Sequence, residues 1–217
     1  MQQELEDALT ALNHGQPVTV IGSGRTDAGV HALGQVAHFD LDTNLPEETI
    51  QNALNATTGQ DIQIHSCGAV AGDFHARYAA RRRHYQYHIY QEPSVIQRRY
   101  SWQIGNHLDI SLLNTCAGMV IGEHDFSRLS RASAETELKI CQIFDSKWIK
   151  NEKFLNYLIT GNRFLHSMVR MLVGTMIEVA RGRGSLDDFA LLLENQQSPL
   201  KVFTAPAKGL FLKRVEY

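Results

Sequence analysis

The sequence predicts an α+β fold in two halves that share an antiparallel or mixed sheet, and three observations carry the prediction. Its 217 residues suffice for one large domain or two modest ones. Helix-period and strand-period segments run helix, strand, loop, strand, helix, strand, then strand, helix, strand, strand, helix, helix, strand, without the regular alternation of a parallel α/β fold. Two strand-like runs, LKICQIFDSKWI and FLNYLITG, are joined by Lys150-Asn151-Glu152, which has turn composition. The boundary is placed near Phe74, giving halves of residues 1–73 and 74–217.

In the first half, QQELEDALTAL sets Leu5, Ala8, Leu9 and Leu12 on one helical face, stopped by Asn13-His14-Gly15 and Pro17. The apolar run Val18 to Ile21 reads as a buried strand and leads into a glycine-rich loop over residues 22–35. QVAHFDL alternates as a half-exposed strand. Pro46 opens a helix carrying Ile50, Ala53 and Leu54 inward, and DIQIHS follows as a third strand. In the second half, HYQYHIY alternates Tyr85, Tyr87 and Ile89 with polar neighbours as a strand with one apolar face. Asp109 caps a helix bearing Leu112, Leu113, Cys116, Ala117 and Val120. A long helix from about Leu165 to Ala180, a short one at DDFALLLEN and a final strand GLFLKRVEY end the chain.

Composition narrows the class. Hydrophobic residues make up 43% and charged residues 20%, enough for a packed core rather than a disordered chain. Three cysteines without C-x-x-C spacing indicate neither a disulfide framework nor a zinc knuckle and fit a reducing, cytoplasmic setting. The longest apolar run, Met168 to Val179, is broken by Arg170 and Glu178 and falls short of the roughly 18 residues a membrane span needs. MQQELEDAL lacks the basic-then-apolar order of a signal peptide. The net charge of −2 argues against a nucleic-acid partner, but its distribution argues the other way. Residues 1–72 contain Arg25 as their one Arg and no Lys, whereas Arg77, Arg81, Arg82 and Arg83 crowd together and Arg98 and Arg99 follow.

Two charged residues stand out. Asp27 sits between Gly24 and Gly29 beside Arg25, directly after a strand, with no Walker lysine and no completed G-x-G-x-x-G, so a nucleotide-cradling loop fails on context. Arg170 lies inside FLHSMVRMLVGTMIEV, with His166, Ser167 and Gly174 at i−4, i−3 and i+4. It is either a snorkelling surface arginine or a buried one that needs a carboxylate. An Asp and an Arg paired in a cleft would keep a reactive carboxylate ionised. Tyr85 and Tyr87 share a strand face, which suits core packing or, beside a basic stripe, stacking of an unpaired base. His31, His38, His75, His84, His88 and His166 show no metal-ligand spacing, so no metal is expected.

Several segments resemble the tRNA pseudouridine synthase A family. They are Gly24-Arg25-Thr26-Asp27-Ala28-Gly29-Val30-His31-Ala32-x-Gly34-Gln35-Val36, Phe74-His75-Ala76-Arg77, Arg83-x-Tyr85-x-Tyr87-x-Ile89, Gly122-Glu123-His124-Asp125-Phe126, Phe164-Leu165-His166-x-Met168-Val169-Arg170 and Gly209-Leu210-x-Leu212. The resemblance implies two related α/β-sandwich halves on a continuous sheet flanked by helices, with a catalytic cleft between them. It implies an isomerase that turns uridine into pseudouridine at positions 38, 39 and 40 of the tRNA anticodon stem-loop, as a cytoplasmic homodimer without cofactor. Asp27 matches the catalytic aspartate, Arg25 the base-flipping arginine, Tyr85 the tyrosine that stacks on the base and takes the C5 proton, and Arg170 the basic partner of the aspartate. Substrate binding is expected of Tyr85, Arg77, Arg83, His31 and Leu210 or Leu212. The chemistry agrees, because the glycosidic bond must break and C5 must bond to the sugar, which calls for a nucleophile, a base and a platform for the detached ring. An uridine inside a duplex must also be extruded first.

One departure qualifies this. The family begins with a strand and a turn of the kind x-x-Tyr-Asp-Gly-x-x-Phe-x-Gly-Trp-Gln, whereas this sequence enters at the following helix, near Gln2 or Gln3. It reads as a chain lacking the opening strand, and a truncated, inactive tRNA-binding remnant stands as the alternative function. A carboxylate-dependent glycosidase acting on small nucleosides is a third reading.

Overall fold

The computed structural model describes residues 1–105, 108–131 and 138–217. In chain order the elements are α1 (Gln2–Leu12), β1 (Ile21–Gly22), β2 (His31–Ala32), β3 (Ala37–His38), α2 (Glu47–Thr57), β4 (Arg82–Tyr90), β5 (Trp102–Gln103), α3 (Ile110–Met119), β6 (Gly122–Asp125), β7 (Ile140–Asn151), β8 (Phe154–Gly161), α4 (Met168–Ala180), α5 (Leu186–Leu193) and β9 (Leu210–Glu216). This is the expected α+β class. Two compact units form, Met1–Gly24 with Val36–Ala79, and Arg25–Gln35 with Ala80–Tyr217. The segment carrying Asp27 therefore packs with the second unit although it interrupts the first in sequence.

In the first unit, α1 and α2 close over Ala8, Leu9, Val18, Val20, Ile50 and Leu54. Its ordered ladder is short: β1 pairs antiparallel with β3 through Ile21 opposite His38 and Gly22 opposite Ala37. Two expected strands are replaced. Along Val18 to Ile21 only Ile21 is in a strand. Val18 N donates to Thr10 Oγ1 at 3.2 Å, Val20 N to Glu6 Oε1 at 3.1 Å, and Gln2 Nε2 to the Val20 carbonyl at 3.0 Å. Asp61–Ser66 is likewise not a strand. Asn55 donates to the Ile64 carbonyl and accepts from Ile64 N at 2.7 Å, while Gln51 donates to the carbonyls of Ile64 and His65. Val18 and Val20 are buried and Ile62 and Ile64 half-buried, as in strands, but helix side chains satisfy these backbones in place of a neighbouring strand.

The second unit holds a seven-stranded sheet in the order β2-β9-β4-β8-β7-β6, with β5 pairing β4 off this path. The expected continuous sheet is thus, among the described residues, a two-stranded ladder and a separate seven-stranded sheet. All neighbours are antiparallel except β2 with β9 and β4 with β5, so the sheet is mixed. The alternation of β4 puts Tyr85, Tyr87 and Ile89 on the core face, against Leu113, Cys116, Leu172, Met176 and Phe189 of the helices. Gln86 and His88 turn to the other face, where Phe144 and Ile149 of β7 stay exposed.

Helix termini behave as the sequence suggests at two places and differ at a third. Asp109 caps α3, accepting from Ser111 N and Leu112 N, and Ser185 with Asp188 forms a reciprocal capping box at α5. The long helix begins at Met168 rather than Leu165, because Ser167 takes φ 59°, a left-handed conformation that a helix cannot pass through.

Candidate active site

Asp27 is positioned by a turn and a graft. Val30 N donates to the Asp27 carbonyl at 3.0 Å, and Gly29 adopts φ 81°, which a residue with a Cβ reaches only with strain. The chain then lies parallel to β9, with His31 opposite Phe211 and Ala32 opposite Leu212, and Leu33 N donates to the Leu212 carbonyl at 2.8 Å. Gly34 comes so near β9 that a Cβ there would sit 2.7 Å from the Lys213 carbonyl oxygen. A tight turn, a two-residue parallel pairing and the Leu33 bond thereby fasten the acidic loop to the sheet of the second unit.

The start of α4 meets this carboxylate. Arg170 Nη1 bonds Asp27 Oδ2 at 2.5 Å, and Ser167 Oγ donates to the same oxygen at 2.8 Å. His166 Nε2 lies 3.4 Å from the other oxygen, Oδ1. The side chains of Asp27 and Arg170 are 18% and 15% exposed, so Arg170 is a buried partner rather than a snorkelling surface arginine. Its orientation is fixed from behind: Arg170 Nε donates to the Ala205 carbonyl at 2.8 Å, and Ala205 N returns a bond to the Arg170 carbonyl at 3.0 Å.

Tyr85 lies buried on the core face of β4 with its ring edge-on to Phe164 at 5.1 Å. Burial pushes its phenol up to about 12; nearby Arg83 opposes the shift and the Asp27 charge adds to it. Tyr85 is therefore neutral at ordinary pH. Leu212 stands directly opposite Tyr85 and Leu210 opposite Tyr87, and both leucines are buried. Of the two, Leu212 is the one in register with Tyr85. Tyr87 is a core residue whose hydroxyl donates to the Pro206 carbonyl at 2.8 Å.

The other expected residues are more dispersed. Arg25 is exposed on the loop two residues before Asp27. Arg83 Nη1 donates to the carbonyls of Asn162 at 2.6 Å and Ala80 at 3.1 Å, so part of its guanidinium holds the fold. Arg77 belongs to the first unit, half-buried, its N–H directed at His75 Nδ1 in a turn built on Phe74-His75-Ala76-Arg77. His31 stacks on Phe211 at 4.8 Å and tilts against Tyr100 at 5.2 Å. Among the described residues no three His, Cys, Asp or Glu side chains gather as a metal site would need. Four neighbours of the site lay outside the expected set. His166 and Ser167 were visible as the i−4 and i−3 neighbours of Arg170, and Phe164 stood in the same family-like segment without an assigned role, whereas the Ala205 carbonyl carried no local signal.

A buried carboxylate held by a fixed guanidinium lies near a buried aromatic ring, and comparison with known proteins bears on the family. A family model described as tRNA pseudouridine synthase matches residues 1–79 and 117–217. Proteins named tRNA pseudouridine synthase A are similar over the whole chain. The one from Exiguobacterium sp. is 37% identical over 217 residues, covering all of this chain and 88% of the relative. Those from Streptococcus pneumoniae strain P1031 and Anoxybacillus flavithermus are each 36% identical, covering all of this chain and 89% of the relative. The chain belongs to the tRNA pseudouridine synthase family.

Proposed function

We propose that this protein isomerises uridine to pseudouridine at positions 38, 39 and 40 of the tRNA anticodon stem-loop, with Asp27 as the nucleophile. The observation that carries the reading is the Asp27 carboxylate, held through Oδ2 by Arg170 and Ser167 in a chain of this family. Attack at C1′ forms a C–O bond as C1′–N1 breaks, and the electron pair leaves on the uracil ring; attack at C6 instead adds Asp27 to the ring. The ring then turns, C5 bonds to C1′, and the carboxylate is released. Net proton movement is from C5 to N1. A neutral Tyr85 that gives its proton to N1 and receives the one from C5 balances that transfer while its ring stacks on the base. Substrate and product are isomers, so the overall reaction consumes no co-substrate.

Arg25, exposed beside Asp27, is assigned to extruding the uridine, which costs a few kcal/mol of stacking. Leu212, in register with Tyr85, is assigned to the wall beside the base. Arg77, Arg83 and His31 are assigned to tRNA contact, so affinity should fall steeply as salt rises. No described helix is long and apolar enough to cross a membrane, and the reaction belongs where tRNA is, in the cytoplasm. A homodimer is supported by the sheet face away from the helices, where Tyr100, Phe154 and Phe211 border an open depression of about 420 Å³ and Phe144 and Ile149 are exposed. Sedimentation would give its mass.

The test is incubation with tRNA carrying 5-tritiated uridine, followed by mapping of the modified positions. Tritium release at positions 38 to 40, abolished by Asp27→Ala, supports the reading. Binding of tRNA with no release would point to a remnant, and free uracil without pseudouridine to a glycosidase.

A further inference from the structure

Ser167 combines three features that do not fit a residue kept for folding. It occupies the N-cap of α4, where a serine hydroxyl ordinarily accepts a bond from the backbone N–H two or three residues on, yet among the described residues its side chain makes no such bond. Its backbone is at φ 59°, a region unfavourable for any residue with a Cβ. It is buried at 7% exposure, and its hydroxyl donates to Asp27 Oδ2 at 2.8 Å. A glycine would relieve the backbone and cap almost as well. Strain held at such a point, with the capping group turned away from the helix, calls for a role outside the helix.

We propose that Ser167 is a positioning residue that, together with Arg170, pins Oδ2 of Asp27 and leaves Oδ1 as the attacking oxygen. Arg170 and Ser167 are separated by one helical turn and approach Oδ2 from the same element, so the carboxylate plane is set by two donors on one oxygen. Oδ1 makes a looser contact, with His166 Nε2 at 3.4 Å on a side chain that is 47% exposed. That separation is long for a hydrogen bond, so Oδ1 is held less firmly than Oδ2, which takes bonds at 2.5 and 2.8 Å. The left-handed turn at Ser167 is what allows one short segment to offer both the hydroxyl and, three residues later, the guanidinium. With Arg170 alone, the carboxylate could rotate about its Cβ–Cγ bond and present its second oxygen off the line of attack, and a misplacement of about 1 Å costs on the order of 100-fold in rate.

This inference rests on Asp27 being the nucleophile, and the experiment separates the two claims. Single-turnover rates at saturating tRNA, tRNA affinity and melting temperature are measured for Ser167→Gly, Ser167→Asn and Asp27→Ala. Ser167→Gly is expected to slow the single turnover by about 10- to 100-fold with unchanged tRNA affinity and no loss in melting temperature. Ser167→Asn tolerates the left-handed backbone and carries an amide donor, and is expected to recover most of the rate. A wild-type rate in Ser167→Gly, or an Asn variant as slow as the Gly variant, overturns the positioning role. Should Ser167→Gly melt lower, the Gly-to-Asn rate ratio decides on its own. Full activity in Asp27→Ala overturns the nucleophile reading, whereas an inactive Asp27→Ala beside a fully active Ser167→Gly overturns the positioning role alone.

Discussion

Gly174 of α4 lies against the backbone of Phe203 so closely that a Cβ at Gly174 would stand 2.1 Å from the Phe203 carbonyl oxygen. The contact brings the 203–205 segment across the helix one turn beyond Arg170, where Ala205 exchanges two hydrogen bonds with that arginine. A small residue at i+4 from Arg170 thus admits the chain's own backbone, and that backbone aims the guanidinium. Gly174→Ala should cost at least about 1–3 kcal/mol by overpacking. It should also lower activity beyond what the remaining folded fraction explains, as read by denaturant unfolding alongside tritium release.

Arg170→Lys keeps the charge and should still fail. A lysine has one nitrogen to serve both the Asp27 carboxylate and the Ala205 carbonyl, which Arg170 meets with Nη1 and Nε. The single-turnover rate should drop by roughly 100-fold with little change in tRNA affinity. A lysine variant at wild-type speed would show that charge alone is required.

Tyr85→Phe keeps the stacking ring and removes the proton carrier. If Tyr85 takes the C5 proton, the rate should fall by about 10²- to 10⁴-fold at unchanged tRNA affinity. Loss of affinity with little change in the single-turnover rate would leave it the platform role only.

Alkaline pH should destabilise the second unit in a defined direction. Burial raises the phenols of Tyr85, to about 12, and of Tyr87 and Tyr157 further. Below the ordinary tyrosine value near 10 both folded and unfolded chains hold these protons, so stability does not depend on them. Above it the unfolded chain loses protons that the folded chain keeps, and stability falls as pH rises towards the folded-state values. Melting temperatures taken from pH 8 to 11 should be flat and then drop steeply. Tyr157→Phe should soften the drop.

Much of this structure was legible from residue patterning. The α+β class, the Asp109 cap, the β7–β8 pair and the apolar face of β4 follow from periodicity and turn composition, because in each the side chains that decide the structure are neighbours in sequence. The strands expected at Val18 to Ile21 and at Asp61–Ser66 did not form, since their patterns record only burial, and burial does not say what pairs with the backbone. There it is Glu6, Thr10, Gln51 and Asn55. Removal of one such partner by Asn55→Ala should destabilise the first unit by about 1 kcal/mol, checked by hydrogen exchange at Ile64. Within the site, the Asp27–Arg170 pair was readable as two polar anomalies that needed each other. The two hydrogen bonds between Arg170 and Ala205 and the left-handed turn at Ser167 were not, because one depends on chain crossing 35 residues away and the other on a backbone torsion no residue type announces.

The central claim is that Asp27, held through Oδ2, is the nucleophile of a tRNA uridine isomerisation. Asp27→Asn preserves size and hydrogen bonding while removing the nucleophilic charge, so its single-turnover tritium release from 5-tritiated tRNA is the most direct measurement. The account predicts loss of release by at least about 10⁴-fold in a variant that still folds and still binds tRNA. Release within tenfold of the unsubstituted protein would contradict it.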